Sequence, residues 1–282
     1  MEKYTIISDS SCDLKSKDLT DENITFVTVP IFYTLEGTEY PDDENVNIKE
    51  LLEKMKQTKL PPKTACATPE SFAEQMRAAQ GHVICVTLSS KISATYSNAC
   101  IAANTVHAET PDKKIFVIDS LSAIAGIARI LYKLVGLIQS GKYTFDEVTQ
   151  RITEIRSKNK IRFLLNDLSN LVKSGRMSKI AGIITSIIPL KLVLGDNGEG
   201  EIKKYKQVIG FKKGIEALSE FTGEHKDDPN NLIVISHCNN EEDANTLKRF
   251  LETKFAFRNV KTLSMRGIGT FLANDKGLAV AY

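Results

Sequence analysis

The sequence predicts an α/β protein made of two α/β domains, the N-terminal one built on a mainly parallel sheet. Three observations carry this. Short apolar, β-branched runs are followed by polar turns and then by helical periodicity, and the unit recurs along the chain. The chain has 282 residues, about twice the roughly 150 residues of a common domain. The pattern restarts near residue 158, which predicts domains over 1–157 and 158–282.

Residues 4–8 (YTIIS) read as a buried strand that stops at Asp9, Ser10 and Ser11, residue types that turn the backbone and cap helices. Residues 24–33 form a second apolar run. Residues 83–88 (VICVTL) precede SSKISATYSNACIAANTV, in which Ile92, Tyr96, Ala99, Cys100 and Ala103 recur at helical spacing. The same order returns at 115–118, followed by Asp119, Ser120 and Ser122 and a long helical stretch that Gly141 ends. Repeated strand, turn and helix units imply a parallel sheet with crossover helices, and the turns at the strands' carboxyl ends line a ligand crevice. Asp9, Ser10, Ser89, Ser90, Ser93, Asp119 and Ser120 are therefore expected along one edge.

A helix over 144–157 ends the first region, and a strand over 161–165 opens the second. Strands near 190–195 and 201–206 flank GDNGEG, a hairpin turn by composition. Helices over 211–225 and 240–252 then alternate with strands over 232–236 and 260–265.

Composition narrows the function. Hydrophobic residues make up 42% and charged residues 26%, so the whole chain is expected to fold. Lys and Arg outnumber Asp and Glu by 37 to 35, which provides no broad positive field for nucleic acid. The opening MEKYTIISDSS lacks the basic start and long apolar segment of a secretory leader. The apolar stretch over 180–194 is interrupted by Ser186, Pro189 and Lys191 and falls short of a membrane span. A cytoplasmic protein without stable membrane insertion is expected. The five cysteines include no CxxC pair and no Cys/His cluster at metal spacing, so reduced thiols and no metal or cofactor are expected.

No G-x-S-x-G elbow, GxxxxGK[ST] loop, GxGxxG or HExxH occurs, which points away from the common hydrolase and nucleotide sites, and no catalytic residue is assigned. His237 sits at a strand end without a placed partner and reads as structural or solvated. Cys12 lies in the first turn with no base or cation placed beside it. The best chemical signal is the turn carrying Ser89, Ser90 and Ser93, which sets hydroxyls and amide donors at a helix N-terminus, where an anion is favoured. Plain helix capping fits the same spacing equally well.

Several stretches, in order, resemble the DegV family of bacterial proteins. SDSSCDL (8–14) resembles the family's TDSTADL, SSKISATY (89–96) its SSxLSGTY, VIDS (117–120) with Ser122 and Gly126 its VIDS stretch, and LVKSGRMS (171–178) its YLxKGGRIS. The resemblance implies two α/β domains with a ligand cleft between them. It implies a long-chain fatty acid there, its carboxylate near the N-domain turns and its tail in an apolar tunnel. It further implies a binding protein that does no covalent chemistry itself and presents the acid to a separate kinase subunit, which makes an acyl phosphate.

Carried over by position, the carboxylate-binding residues are Thr64 and Ser93; Ala94 beside it and Asp9 and Ser10 of the first turn are expected at the ligand with them. Lys173 and Arg176, grouped with Lys179, fall on the expected kinase contact, although a solvated surface is the plainer reading. Two departures stand out. In TACATP, Ala65, Cys66 and Ala67 replace the Ser, Gln and Pro of the family's TSQPS. In IGTFLANDKG, Phe271 stands at the histidine of IGxHTGPGALG, a ligand position. One charge-assisted hydrogen bond is worth about 1.5–3 kcal/mol, whereas ten buried methylenes contribute on the order of 8 kcal/mol. Tail burial is thus expected to set affinity and the head contacts orientation. Phe271, Asn274, Asp275 and Lys276 also motivate an alternative, an enzyme or sensor acting on another small carboxylate.

Overall fold

The computed structural model of the chain describes residues 2–58, 63–176 and 190–282. Its elements run in order β1 (Tyr4–Asp9), a 3-10 turn (Ser10–Cys12), α1 (Ser16–Leu19), β2 (Ile24–Val29), β3 (Phe32–Leu35), β4 (Thr38–Pro41), α2 (Ile48–Gln57), β5 (Lys63–Ala65), α3 (Pro69–Ala78), β6 (His82–Thr87), α4 (Thr95–Glu109), β7 (Ile115–Asp119), α5 (Ala125–Gln139) and α6 (Phe145–Lys158). The second half continues with β8 (Ile161–Leu164), α7 (Ser169–Lys173), β9 (Leu190–Asp196), β10 (Ile202–Ile209), α8 (Phe211–Gly223), β11 (Ile233–His237), α9 (Glu241–Phe255), β12 (Val260–Ser264), α10 (Gly267–Ala273) and β13 (Leu278–Ala281).

The first sheet has the order β2-β1-β6-β7 and is parallel throughout. The second, β10-β9-β8-β13-β11-β12, is mixed, with only β11 and β12 parallel. A small antiparallel sheet, β4-β3-β5, completes the topology.

Side-chain alternation explains the layers. In the first sheet Ile7, Val83 and Cys85 face Phe72 and Met76 of α3 and Ala99, Ala102 and Val106 of α4. Ile6, Ile84 and Val86 face the opposite way, into a core shared with α5. Successive strand residues point to opposite faces, so a sheet covered on both sides needs apolar runs rather than alternation. Helix α5 is apolar nearly all round, with Ile127, Ile130, Leu131 and Leu134 all fully buried. That pattern suits its place between β6 on one side and β11 and β13 on the other. Helices α8 and α9 cover the far face of the second sheet through Leu218, Leu247 and Leu251.

Local chemistry sets the helix starts. Pro69 occupies the first turn of α3, and Thr68 caps it by accepting the amide of Ser71 at 3.1 Å. Thr144 and Glu147 form a capping box on α6.

Several expectations change. Residues 24–33 are two strands in two sheets: Pro30 has no N–H to continue a ladder, and the chain turns there so that Ile31 donates to Ser10 Oγ at 3.0 Å. The small sheet and helices α2, α3 and α10 were not legible in the pattern. The boundary expected at 157/158 falls at the C-terminal end of α6.

Candidate functional site

The carboxyl edge of the first sheet is organised by two aspartates. Asp9, at the end of β1, is fully buried and accepts the amide of Leu88 at 2.6 Å, the amide of Ser11 at 3.1 Å, and the Ser11 hydroxyl. Burial pushes its pKa up, and these hydrogen bonds act against the shift. Asp119, at the end of β7, accepts the amides of Ser90 at 3.1 Å and Leu121 at 3.0 Å. The turn between β6 and α4 is therefore held from both flanking strands. The serines and aspartates expected along one edge do gather there, with Ser120 donating its amide to Thr87.

That turn presents Ser93 at the start of α4. The Ser93 and Thr95 hydroxyls share a 2.7 Å hydrogen bond, and Ser93 Oγ also accepts the Thr95 amide at 3.3 Å. Ala94, the N-cap residue, supplies no side-chain cap. The first-turn amides of a helix have no intrahelical acceptors, so this 15-residue helix brings donors and a positive dipole end to the same place.

Thr64 faces this turn from β5, which pairs with β3 so that Thr64 lies opposite Tyr33. Its Oγ1 accepts from Arg176 Nη2 at 3.0 Å. Thr64, Ser93, Ala94 and Arg176 line one mouth of about 630 Å³. The Arg176 guanidinium is partly desolvated, which lowers its pKa, and its Nε has no partner among the described residues.

Behind the mouth lies a mainly apolar cavity. Leu88, Ile92, Ile268 and Leu272 line both spaces, so the two are neighbours. Deeper walls come from Leu121 and Ile124 on the first-sheet side and from Phe163, Leu165 and Ala279 on the second. The hairpin of β9 and β10 closes over it. Ser89 Oγ donates to the carbonyl of Gly200 at 2.8 Å. Gly200 has φ +89°, and a Cβ there would stand 2.4 Å from Ser89 Oγ, so glycine permits the hairpin to seat. Outside the mouth, Lys63, Lys91 and Lys173 border a wider vestibule beside Glu201.

The structure brings together three of the six residues expected at the ligand, Thr64, Ser93 and Ala94, and separates the other three. Asp9 and Ser10 do not line the cavity: their polar atoms are engaged with Leu88, Ser11 and Ile31, so they support the site from behind. Phe271 also stays outside it. Its ring is 1% exposed and packs 5.5 Å from that of Tyr33, while its carbonyl accepts from Asn170 at 2.7 Å. The α10 residues that do reach the cavity are Ile268, Leu272 and Ala273, and no polar signal marks them in sequence. Arg176, expected at a partner contact, turns its guanidinium into the mouth; Lys179 lies outside the described residues.

Nucleophiles and bases are poorly placed. Burial pushes the Cys12 thiol up to about 12. Cys66, at the mouth, accepts from Asn98 Nδ2 at 3.4 Å. His237 is buried away from the cavity, its Nδ1 accepting the Asn240 amide at 3.2 Å, and burial lowers its pKa. Among the described residues no three or more His, Cys, Asp or Glu side chains could hold a metal ion, and no helix is long and apolar enough to cross a membrane. The arrangement suits an amphipathic anion, with a polar head at the mouth and an apolar body in the cavity.

Known proteins match the chain along its length. A DegV domain-containing protein of Streptococcus pneumoniae is 30% identical over 285 residues, covering 99% of this chain and 98% of the relative. The Streptococcus pneumoniae Fatty Acid Kinase (Fak) B3 protein loaded with linoleic acid matches with a TM-score of 0.93 at 30% identity over 99% of both chains. A DegV family protein from Ruminococcus gnavus, crystallised with vaccenic acid, matches with a TM-score of 0.92 at 27% identity over 100% of both chains. The DegV family model covers residues 3–282, and this chain belongs to the DegV family.

Proposed function

We propose that this protein binds a long-chain fatty acid in the cytoplasm and presents its carboxylate to a separate kinase for acyl-phosphate formation. Residues 1–157 supply most of the head site, and 158–282 close the cavity around the tail. Thr64, Ser93 and the first amides of α4 hold the carboxylate, and Arg176 supplies the cation. Phosphoryl transfer belongs to the partner.

The observation that carries this reading is the placing of Thr64, Ser93 and Arg176 in a mouth directly beside an apolar cavity, with Leu88, Ile92, Ile268 and Leu272 lining both. Each methylene buried there contributes about 0.8 kcal/mol. A carboxylate in the mouth gains charge-assisted hydrogen bonds from Arg176 that a neutral head does not. Linoleic and vaccenic acids in the two matching structures support the ligand class, and the Fak B3 match supports the kinase partner. The vestibule lysines Lys63, Lys91 and Lys173 suit a partner or phosphate approaching the exposed head.

The alternative of an enzyme or sensor rested on the altered stretch 271–276. Phe271 packs on Tyr33, and Asp275 accepts from Asn239 at 2.9 Å, so neither brings a group to the mouth. The proposal is tested by titrating delipidated protein with oleate while following thermal unfolding. A saturable rise in Tm is expected, and it shrinks in Ser93→Ala. A Tm indifferent to oleate sinks the reading.

A further inference from the structure

Helix α10 stands at the boundary of mouth and cavity, since Ile268 and Leu272 line both. Its N-terminus carries no cap from its own N-cap residue, Arg266. The acceptors come from Asp42, which follows β4 and is fully buried. Asp42 Oδ1 accepts the Gly267 amide at 2.9 Å, and Oδ2 accepts the Ile268 amide at 3.0 Å, across 225 and 226 residues of chain. The fit is close: a Cβ on Gly267 would lie 2.6 Å from Asp42 Oδ1.

Arg266 fixes the same junction from the other side. Its amide donates to Asp13 Oδ1 at 2.9 Å, and its guanidinium donates to the carbonyls of Leu14 at 2.6 Å and Asp42 at 3.3 Å. Asp42 lines neither the mouth nor the cavity. Its effect on them passes through the backbone of α10.

We propose that Asp42 is a positioning residue for ligand binding, holding α10 so that Ile268 and Leu272 keep their places in the walls of the head site and the tail cavity. A buried carboxylate accepting two amides makes charge-assisted hydrogen bonds, and removing it strands two donors. Helix α10 then loses its tether to the β4 end while the sheets keep their own cores. The inference rests on the fatty-acid reading.

The test pairs ligand affinity with amide hydrogen exchange in Asp42→Ala and Asp42→Asn. Wild-type oleate affinity is measured first, and its absence counts against the fatty-acid reading alone. The exchange measurement is made without ligand and judges Asp42 in either case. In Asp42→Ala, oleate binding is expected to weaken at least tenfold, and the amides of Gly267 and Ile268 to exchange faster, with β1 and β6 unchanged. Asp42→Asn retains one acceptor oxygen for one of the two amides and recovers part of the affinity. Should Asp42→Ala not fold, Gly267→Ala serves, because its methyl displaces the carboxylate, and it is expected to weaken oleate binding in the same direction. Oleate affinity within twofold of wild type, or unaltered exchange in α10, overturns the proposal. So does faster exchange spread evenly over the first sheet without rescue by asparagine, which marks general destabilisation.

Discussion

Arg176 Nη2 and Thr64 Oγ1 meet at 3.0 Å across 112 residues of chain, and this contact places a cation at one end of a mainly apolar cavity. A carboxylate entering the mouth replaces or shares it. Arg176→Ala is expected to remove about 1.5–3 kcal/mol, or roughly tenfold to somewhat over a hundredfold in oleate affinity. Arg176→Lys restores part of the loss, since an ammonium supplies charge without the planar fork. Displacement of a fluorescent fatty acid measures both variants. Unchanged affinity in Arg176→Ala removes that residue from the head site.

The tail path gives a second prediction. Ala279 in β13 is fully buried and borders the cavity. Ala279→Leu adds three carbons to that space and is expected to weaken oleate binding at least tenfold. Calorimetric titration reads the loss, and a thermal scan shows whether the fold is kept. A variant that binds oleate as wild type does places the tail elsewhere.

Phe271 gives a third. Its ring belongs to the core beside Tyr33. Restoring histidine there buries a polar ring in an apolar seat, so Phe271→His is expected to cost about 2 kcal/mol or more of stability. Oleate affinity stays within about threefold, well under the 1.4 kcal/mol of a tenfold change. Urea unfolding and titration check the two halves. A gain in affinity of tenfold or more returns position 271 to the ligand.

The Asp13 and Asp42 carboxyls make stability depend on pH. Burial raises Asp13 from 3.8 to about 7 and Asp42 from 3.8 to about 6. Each binds its proton more tightly in the folded than in the unfolded chain. Their contribution is therefore full below about pH 4 and is lost as pH rises through 6 and 7. Asp13→Asn is expected to flatten this fall, by at most a few kcal/mol between pH 5 and 8. Urea unfolding at both values measures it. An equal slope in wild type and variant contradicts the assignment to Asp13.

Much of this architecture is legible in the sequence because its signals are local. The runs at β1, β6 and β7 are apolar over successive residues, and the Ser-rich turn before α4 precedes clear helical spacing. The head residues Thr64 and Ser93 follow from resemblance. What the pattern hides is non-local. Pro30 splits one apolar run between two sheets, yet nothing nearby states that β3 will pair with β5. The capping of α10 by Asp42 joins residues 225 apart. Lys173 and Arg176 read alike as surface charge, and only the fold turns Arg176 back toward Thr64. Phe271 misleads for the same reason, because a change of residue type at a matched position does not reveal that its side chain packs on Tyr33.

The central claim is that the cavity holds a long-chain acid by its carboxylate at Thr64, Ser93 and Arg176. The most direct measurement is mass spectrometry of the small molecules extracted from the purified protein. About one long-chain fatty acid per chain is predicted in wild type, with the amount reduced in Arg176→Ala. Wild-type protein that yields no fatty acid, and still yields none after incubation with oleate and removal of the excess, contradicts it.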